Sequence, residues 1–194
     1  MKKRSLLPLS GGPFTTPFDM LSGCHERIRM FSGVATRLAV ETAPPEQVVE
    51  AASRLCLYFG TALPLHEQDE EDTLFQAMRD AGAPGMDPLF ARLRDEHRAI
   101  EAVLARLIPA WTSLAHAPEV IERHRAPLRE GGEELSAAFA PHLRMEEEEL
   151  YPLARRSLSE PVLASMLREM RARRAPVIDA LHALHQPPIE GDRA

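Results

Sequence analysis

Three histidines in this chain are each followed, four residues later, by a glutamate. The pairs are His66 with Glu70, His97 with Glu101, and His142 with Glu146. On an α-helix, residues four apart lie one turn apart on the same face, so each imidazole and its carboxylate point the same way. Both groups are ligands for iron, manganese and zinc. The spacing therefore indicates a metal site carried by helices.

The histidines and glutamates belong to an internal repeat. LPLHEQDEEDTLF (63–75) matches APHLRMEEEELYP (140–152), and CHERI (24–28) matches EHRAI (96–100). Aligned in this way, four pairs of histidines or glutamates coincide: His25 with His97, His66 with His142, Glu70 with Glu146, and Glu71 with Glu147. The chain thus reads as two copies of a helix pair, and each helix carries one histidine of the set.

These polar residues share helix faces with apolar residues, which predicts that they point into a protein core. A lone buried histidine is more often a hydrogen-bonded core residue than a ligand. Three His-x3-Glu pairs and a fourth histidine, one set per helix, favour a metal instead, because buried carboxylates without cations would take up protons. The predicted ligands are His25, His66, Glu70, His97, Glu101, His142 and Glu146. Two divalent ions would balance three carboxylates together with a bridging hydroxide.

Four long segments with helical apolar spacing must position these residues. They run over about 18–40, 45–78, 88–114 and 118–154, and proline- and glycine-containing stretches separate them. Such short connections imply antiparallel neighbours. The sequence therefore predicts an all-α fold, an up-down-up-down four-helix bundle.

Two further segments flank the predicted bundle of residues 18–155. Residues 1–17 are expected to form an N-terminal arm. Residues 156–194 are expected to form an additional C-terminal helix and tail, opened by Ser159 as a helix cap. The apolar stripe of this fifth helix predicts that it caps the bundle or makes a homodimer contact.

Composition narrows the function classes. The chain has 194 residues, 44% of them hydrophobic, and a formal net charge of −6. An acidic chain of this kind argues against a nucleic-acid partner. The sequence has no recognisable leader and no segment long enough to span a bilayer, which predicts a soluble, cytoplasmic protein without a membrane partner. Cys24 and Cys56 form neither a disulfide framework nor a CxxC pair.

The stretches HEQDEEDTLF and HLRMEEEELYP resemble the H-x-x-x-E-E-x-x-L-F-P signature of the hemerythrin-like family, specifically its HHE cation-binding domains. The resemblance covers residues 20–155. It implies a four-helix bundle holding a non-haem di-iron centre, two iron ions (Fe2+/Fe3+) bridged by carboxylates and an oxo or hydroxo group. Carried over to this chain, the resemblance implies four terminal ligands, which are His25, His66, His97 and His142. It also implies two bridging carboxylates, which are Glu70 and Glu146.

The sequence departs from the family pattern at two places. Oxygen-carrying members have a second histidine on the third helix, where this chain has Glu101. HHE domains often carry a histidine directly before the second- and fourth-helix ligands, where this chain has Leu65 and Pro141. Glu67 and Glu147 are therefore alternative ligands.

The resemblance implies a protein that binds or senses dioxygen, peroxide or nitric oxide, or that handles iron. One alternative is a di-iron oxidase or peroxidase of ferritin-like chemistry, which the carboxylate at Glu101 would favour. Another is a helical partner-binding module that holds zinc or no metal. Zinc or manganese could also replace iron in the same ligand set.

Overall fold

The computed structural model describes residues 14–83 and 85–184 and is all-α over those ranges. Most of the predicted N-terminal arm and the end of the tail lie outside the described residues. Helix α1 is Pro17–Val40, α3 is Asp87–His116 and α5 is Glu160–Leu184. Helices α2 and α4 span 45–80 and 121–157, and each changes its helical geometry along its length.

The four long helices form a ring in which each packs on its two neighbours: α1 on α2 and α4, and α3 on α2 and α4. Short connections make successive helices antiparallel. The predicted up-down-up-down bundle is therefore confirmed. Within the described ranges, no helix is both long enough and apolar enough to cross a bilayer.

Local sequence explains where the helices begin. Thr16 caps α1: its hydroxyl accepts from the backbone N–H of Asp19, whose carboxylate accepts from the N–H of Thr16. This reciprocal pair satisfies N–H groups that have no partner within the helix. Pro45 begins α2, and Pro88 occupies the first turn of α3, where the missing N–H costs nothing.

The core consists of two apolar clusters with a polar layer between them. One cluster includes Ile28, Phe59 and Trp111; the other includes Phe18 and Phe75. The histidines of the repeat on α1, α2 and α3 fall between the two clusters along their helices, and His142 on α4 lies at the edge of the first cluster, next to Leu143. The bundle therefore encloses its polar layer between two apolar layers that exclude water.

Two of the bundle helices contain π-helical turns. In α2, they are Tyr58–Ala62 and Asp69–Leu74; in α4, the turn is Glu146–Leu150. The N–H of Phe75 donates to the carbonyl of Glu70, and the N–H of Tyr151 donates to that of Glu146. These two wide turns thus end at the same place in both copies of the repeat, at Leu74 and Leu150. Such turns are frequent at functional sites, because they re-aim the side chains that they carry.

Helix α5 packs on the apolar cluster that contains Phe18 and Phe75. Met166, Leu167 and Met170 of α5 are buried in that cluster. Arg173 and Arg174 of α5 form ion pairs with Asp69 of α2. The fifth helix therefore packs on the bundle itself. Of its two predicted roles, a cap on the bundle and a homodimer contact, this packing agrees with the first.

Candidate metal centre

Six of the seven predicted ligands meet in the polar layer of the bundle. They form two groups, in each of which the ligand atoms lie within 4.8 Å of one another. The groups are His25, His66, Glu70 and Glu146, here called the first position, and Glu70, His97, His142 and Glu146, here called the second position. Both groups contain Glu70 and Glu146. The two carboxylates therefore lie where they can bridge two metal ions.

The ligand atoms are buried, and many of them have no hydrogen-bond partner within the described part of the chain. His25, Glu70 and Glu146 are fully buried, and the other three histidines are nearly so. The partnerless buried atoms include Nε2 of His66 and His97, Oε2 of Glu70, and both carboxylate oxygens of Glu146. Leaving so many polar atoms unpaired in a core is costly. Cations at the two positions would satisfy them, so the donor set fits a metal.

The electrostatics of these side chains lead to the same conclusion. Burial lowers the pKa of His66 to about 3, against the attraction of Glu70. Burial also opposes ionisation of Glu70, but the nearby histidines outweigh it and lower the pKa of this carboxyl. Burial and the neighbouring Glu70 raise the pKa of Glu146 well above its usual value. Without added positive charge, the two carboxyls that the groups share do not both ionise readily.

Three histidines are oriented by carboxylates outside the ligand groups. Nδ1 of His25 lies 2.8 Å from the carboxylate of Glu147. The corresponding distances are 2.7 Å from Nδ1 of His97 to Glu71 and 3.0 Å from Nδ1 of His142 to Glu96. Because a carboxylate only accepts, each Nδ1–H donates, and Nε2 is left with its lone pair facing the site. This arrangement fixes the ring and increases its basicity as a metal ligand.

Arginines at the surface hold these outer carboxylates in turn. Arg29 makes two hydrogen bonds to Glu147, of 2.9 and 2.8 Å. Arg94 donates to Glu71 over 2.9 Å. The alignment of Glu71 with Glu147 in the repeat contained a signal for this shared role. The residue that corresponds to Glu96 in the other copy of the repeat is not acidic, so the repeat gave no sign of its role. The contact of Glu96 with His142 was therefore not predicted.

The two alternative ligands lie beside the groups rather than in them. Glu147 is the outer partner of His25 and pairs with Arg29. Glu67 is buried next to the second position, where its carboxylate interacts with His97 and burial raises its pKa to about 7. Neither residue belongs to a ligand group.

The structure does not support Glu101 as a ligand. Its side chain is exposed and belongs to neither group. The buried face of α3 runs through His97, Ile100 and Leu104. Steps of three and four residues keep that face turned to the core, so Glu101 falls at its outer edge. A His-x3-Glu spacing alone did not reveal this, because α3 lacks the π-helical turn that accompanies Glu70 and Glu146.

Tyr151 is a further residue of the site that sequence analysis did not assign. Its phenol oxygen lies 2.7 Å from Oε1 of Glu70 and 2.8 Å from Nε2 of His25. Its counterpart in the repeat is Phe75, which stacks on Phe90. The aromatic position of the repeat was visible in the sequence, but its contact with the ligands depends on the helix geometry after Glu146.

A family model provides independent evidence about this site. The model of the hemerythrin HHE cation binding domain matches residues 16–154. The chain belongs to this family. The match spans all six converging ligands, so the resemblance found in the sequence is confirmed.

Other comparisons add little about this hemerythrin HHE domain protein. An uncharacterized protein of Haemophilus influenzae is 24% identical over 174 residues, which is 87% of this chain and 96% of the relative. No solved structure matches the chain. Membership in a cation-binding family and the two buried histidine–glutamate groups together support a metal-binding helical protein.

Proposed function

We propose that this protein holds two iron ions in the polar layer of its bundle and uses them to bind or sense a small ligand such as dioxygen, peroxide or nitric oxide. The observation that carries the proposal is the sharing of Glu70 and Glu146 by two adjacent ligand groups. Inward-projecting glutamates and histidines of this kind are how four-helix bundles hold dinuclear iron or manganese.

Each metal would be held by two histidines and the two shared carboxylates. His25 and His66 supply the first position, and His97 and His142 supply the second. When bound, an iron pair supplies reversible one-electron changes at each ion and open coordination positions for a small ligand. Mixed imidazole and carboxylate donors suit iron and also accept manganese or zinc.

The chain's own residues prepare the site for such a ligand. Glu71, Glu96 and Glu147 hold three imidazoles with Nε2 facing the centre. The hydroxyl of Tyr151 donates to Oε1 of Glu70. The apolar clusters on both sides keep bulk water and large molecules out, so the fully buried centre favours a ligand of a few atoms over a bulky substrate.

The enzymatic alternative loses the feature that favoured it. A ferritin-like oxidase or peroxidase was suggested by a third carboxylate at Glu101, and that side chain is exposed. The converging set contains four histidines and two glutamates. This nitrogen-rich set supports ligand binding better than oxidative turnover. Iron handling uses the same ligands and remains an outcome of the test.

The decisive experiment joins metal analysis to spectroscopy. The full chain would be expressed in iron-rich medium, and its metal content would be measured by mass spectrometry. We expect two irons per chain, near-ultraviolet charge-transfer bands under air, and spectral changes when nitric oxide or dioxygen is added to the reduced protein. Sustained turnover of peroxide would instead favour the oxidase. Zinc, or one metal or none per chain, would contradict the proposal and support a partner-binding module.

A further inference from the structure

We infer that the two metal positions are unequal, and that the second position, with His97 and His142, fills first and holds its metal more tightly. The inference rests on the proposed dinuclear centre. It concerns differences between two positions that the internal repeat would otherwise make alike.

The first difference lies in the outer carboxylates. Both histidines of the second position donate Nδ1–H to a glutamate, His97 to Glu71 and His142 to Glu96. At the first position, only His25 has such a partner. Nδ1 of His66 is buried and has no hydrogen-bond partner among the residues that the structure describes. One ring of the first position therefore lacks the support that the other three rings have.

His66 lacks an outer carboxylate because the two copies of the repeat differ at the residue directly before the first histidine. Glu96 precedes His97, and the residue preceding His25 in the other copy is Cys24. The Cys24 thiol cannot replace a carboxylate, and its Sγ contacts the guanidinium groups of Arg27, at 3.3 Å, and Arg174, at 3.7 Å. Removing a carboxylate that orients a ligating histidine typically costs a factor of about 10 to 100 in metal affinity. The first position is expected to be weaker by a factor of this size.

The second difference is the phenol of Tyr151. It lies within hydrogen-bond distance of Nε2 of His25 and of Oε1 of Glu70, which are both donors to the first position. A metal on Nε2 must end the contact between that nitrogen and the phenol. At the second position, the corresponding residue is Phe75, which has no polar atom and stacks on Phe90. Only the first position therefore has to move a phenol away from its ligand atoms when it binds a metal. Both differences favour the same order of filling.

The test is an anaerobic titration of the metal-free full chain with cobalt(II), followed by the absorption of the bound ion. We expect two steps, the first at least 10-fold tighter than the second. Glu96→Gln should weaken the tight step by about 10- to 100-fold and leave the weak step in place. Glu147→Gln is the matched control, because it removes the outer partner of His25 and should weaken only the weak step. Tyr151→Phe should tighten the weak step.

Variants of the ligands themselves decide the assignment even if Glu96→Gln folds poorly. His66→Ala should bind one cobalt with the affinity of the tight step, and His142→Ala should lose that step. Helicity and the urea midpoint of each variant provide the folding control. Two steps of equal affinity, or loss of the tight step in His66→Ala, would overturn the inference alone. Fewer than two cobalt ions on the wild-type chain would overturn the dinuclear centre itself.

Discussion

Asp69 and Arg174 form a buried ion pair that joins the bundle to its fifth helix. Asp69 is fully buried, and Arg174 is only 5% exposed. Arg173 also pairs with Asp69. Asp69 directly precedes Glu70, so the fifth helix is tied to the π-helical turn that carries one of the two shared carboxylates.

Removal of this anion should cost much of the stability of the fold. Asp69→Ala leaves two guanidinium groups without their partner, one of them buried, and we expect the free energy of unfolding to fall by about 3 kcal/mol. Glu169→Ala is the control: Glu169 is exposed and pairs with Arg173 over 3.3 Å, so its loss should cost less than about 1 kcal/mol. Urea unfolding followed by circular dichroism measures both. Equal losses in the two variants would refute a structural role for the buried pair.

The amount of metal bound by variants should distinguish the two shared glutamates, which are proposed ligands, from Glu101, which is not. Glu70 belongs to both ligand groups, so Glu70→Ala combined with Glu146→Ala should lose more than half of the metal bound per chain. Glu101→Ala changes an exposed residue and should keep its full metal content. Metal analysis of the purified variants decides the point. A loss of metal in Glu101→Ala would restore that residue as a ligand.

The helices and the convergence of six of the predicted ligands could be predicted from the sequence because both depend on regular spacing. Apolar periodicity located four bundle helices, and the repeat selected Glu70 and Glu146 from runs of acidic residues. The π-helical turns were not predicted, because no residue pattern encodes one extra residue per turn. The contacts of Glu96 and Tyr151 were missed for a related reason: they depend on how neighbouring helices rotate against one another. The same rotation removes Glu101 from the site.

Removal of the metals should destabilise the whole bundle. The buried atoms of His66, Glu70 and Glu146 that lack partners would again be unsatisfied. A ligand at a thousand times its dissociation constant adds about 4 kcal/mol to the stability of the folded state. We therefore expect a strong chelator to lower Tm by roughly 10 °C, measured by scanning calorimetry. The Glu70→Ala, Glu146→Ala variant is the control, and the chelator should barely change its Tm. An unchanged Tm in the wild-type protein would argue against bound metals that stabilise the core.

Adjacent glycines in α4 should respond in opposite directions to alanine. A Cβ at Gly131 would lie 2.6 Å from a methyl group of Leu107 on α3, and Leu107 is buried in the core. A Cβ at Gly132 would meet nothing closer than 3.8 Å, at Thr36 of α1. Gly132→Ala should therefore raise the free energy of unfolding by about 0.5–1 kcal/mol, because alanine favours the helix. Gly131→Ala should lower it by about 1 kcal/mol through overpacking.

A double-mutant cycle identifies the source of that loss. In a Leu107→Ala background, the methyl groups that the new Cβ would meet are gone, so Gly131→Ala should become neutral or stabilising. Urea unfolding of the four proteins gives the coupling energy between the two sites. Independent effects of Gly131→Ala and Leu107→Ala would contradict the close approach of α3 and α4 at Gly131, because only direct contact makes the cost of one substitution depend on the other.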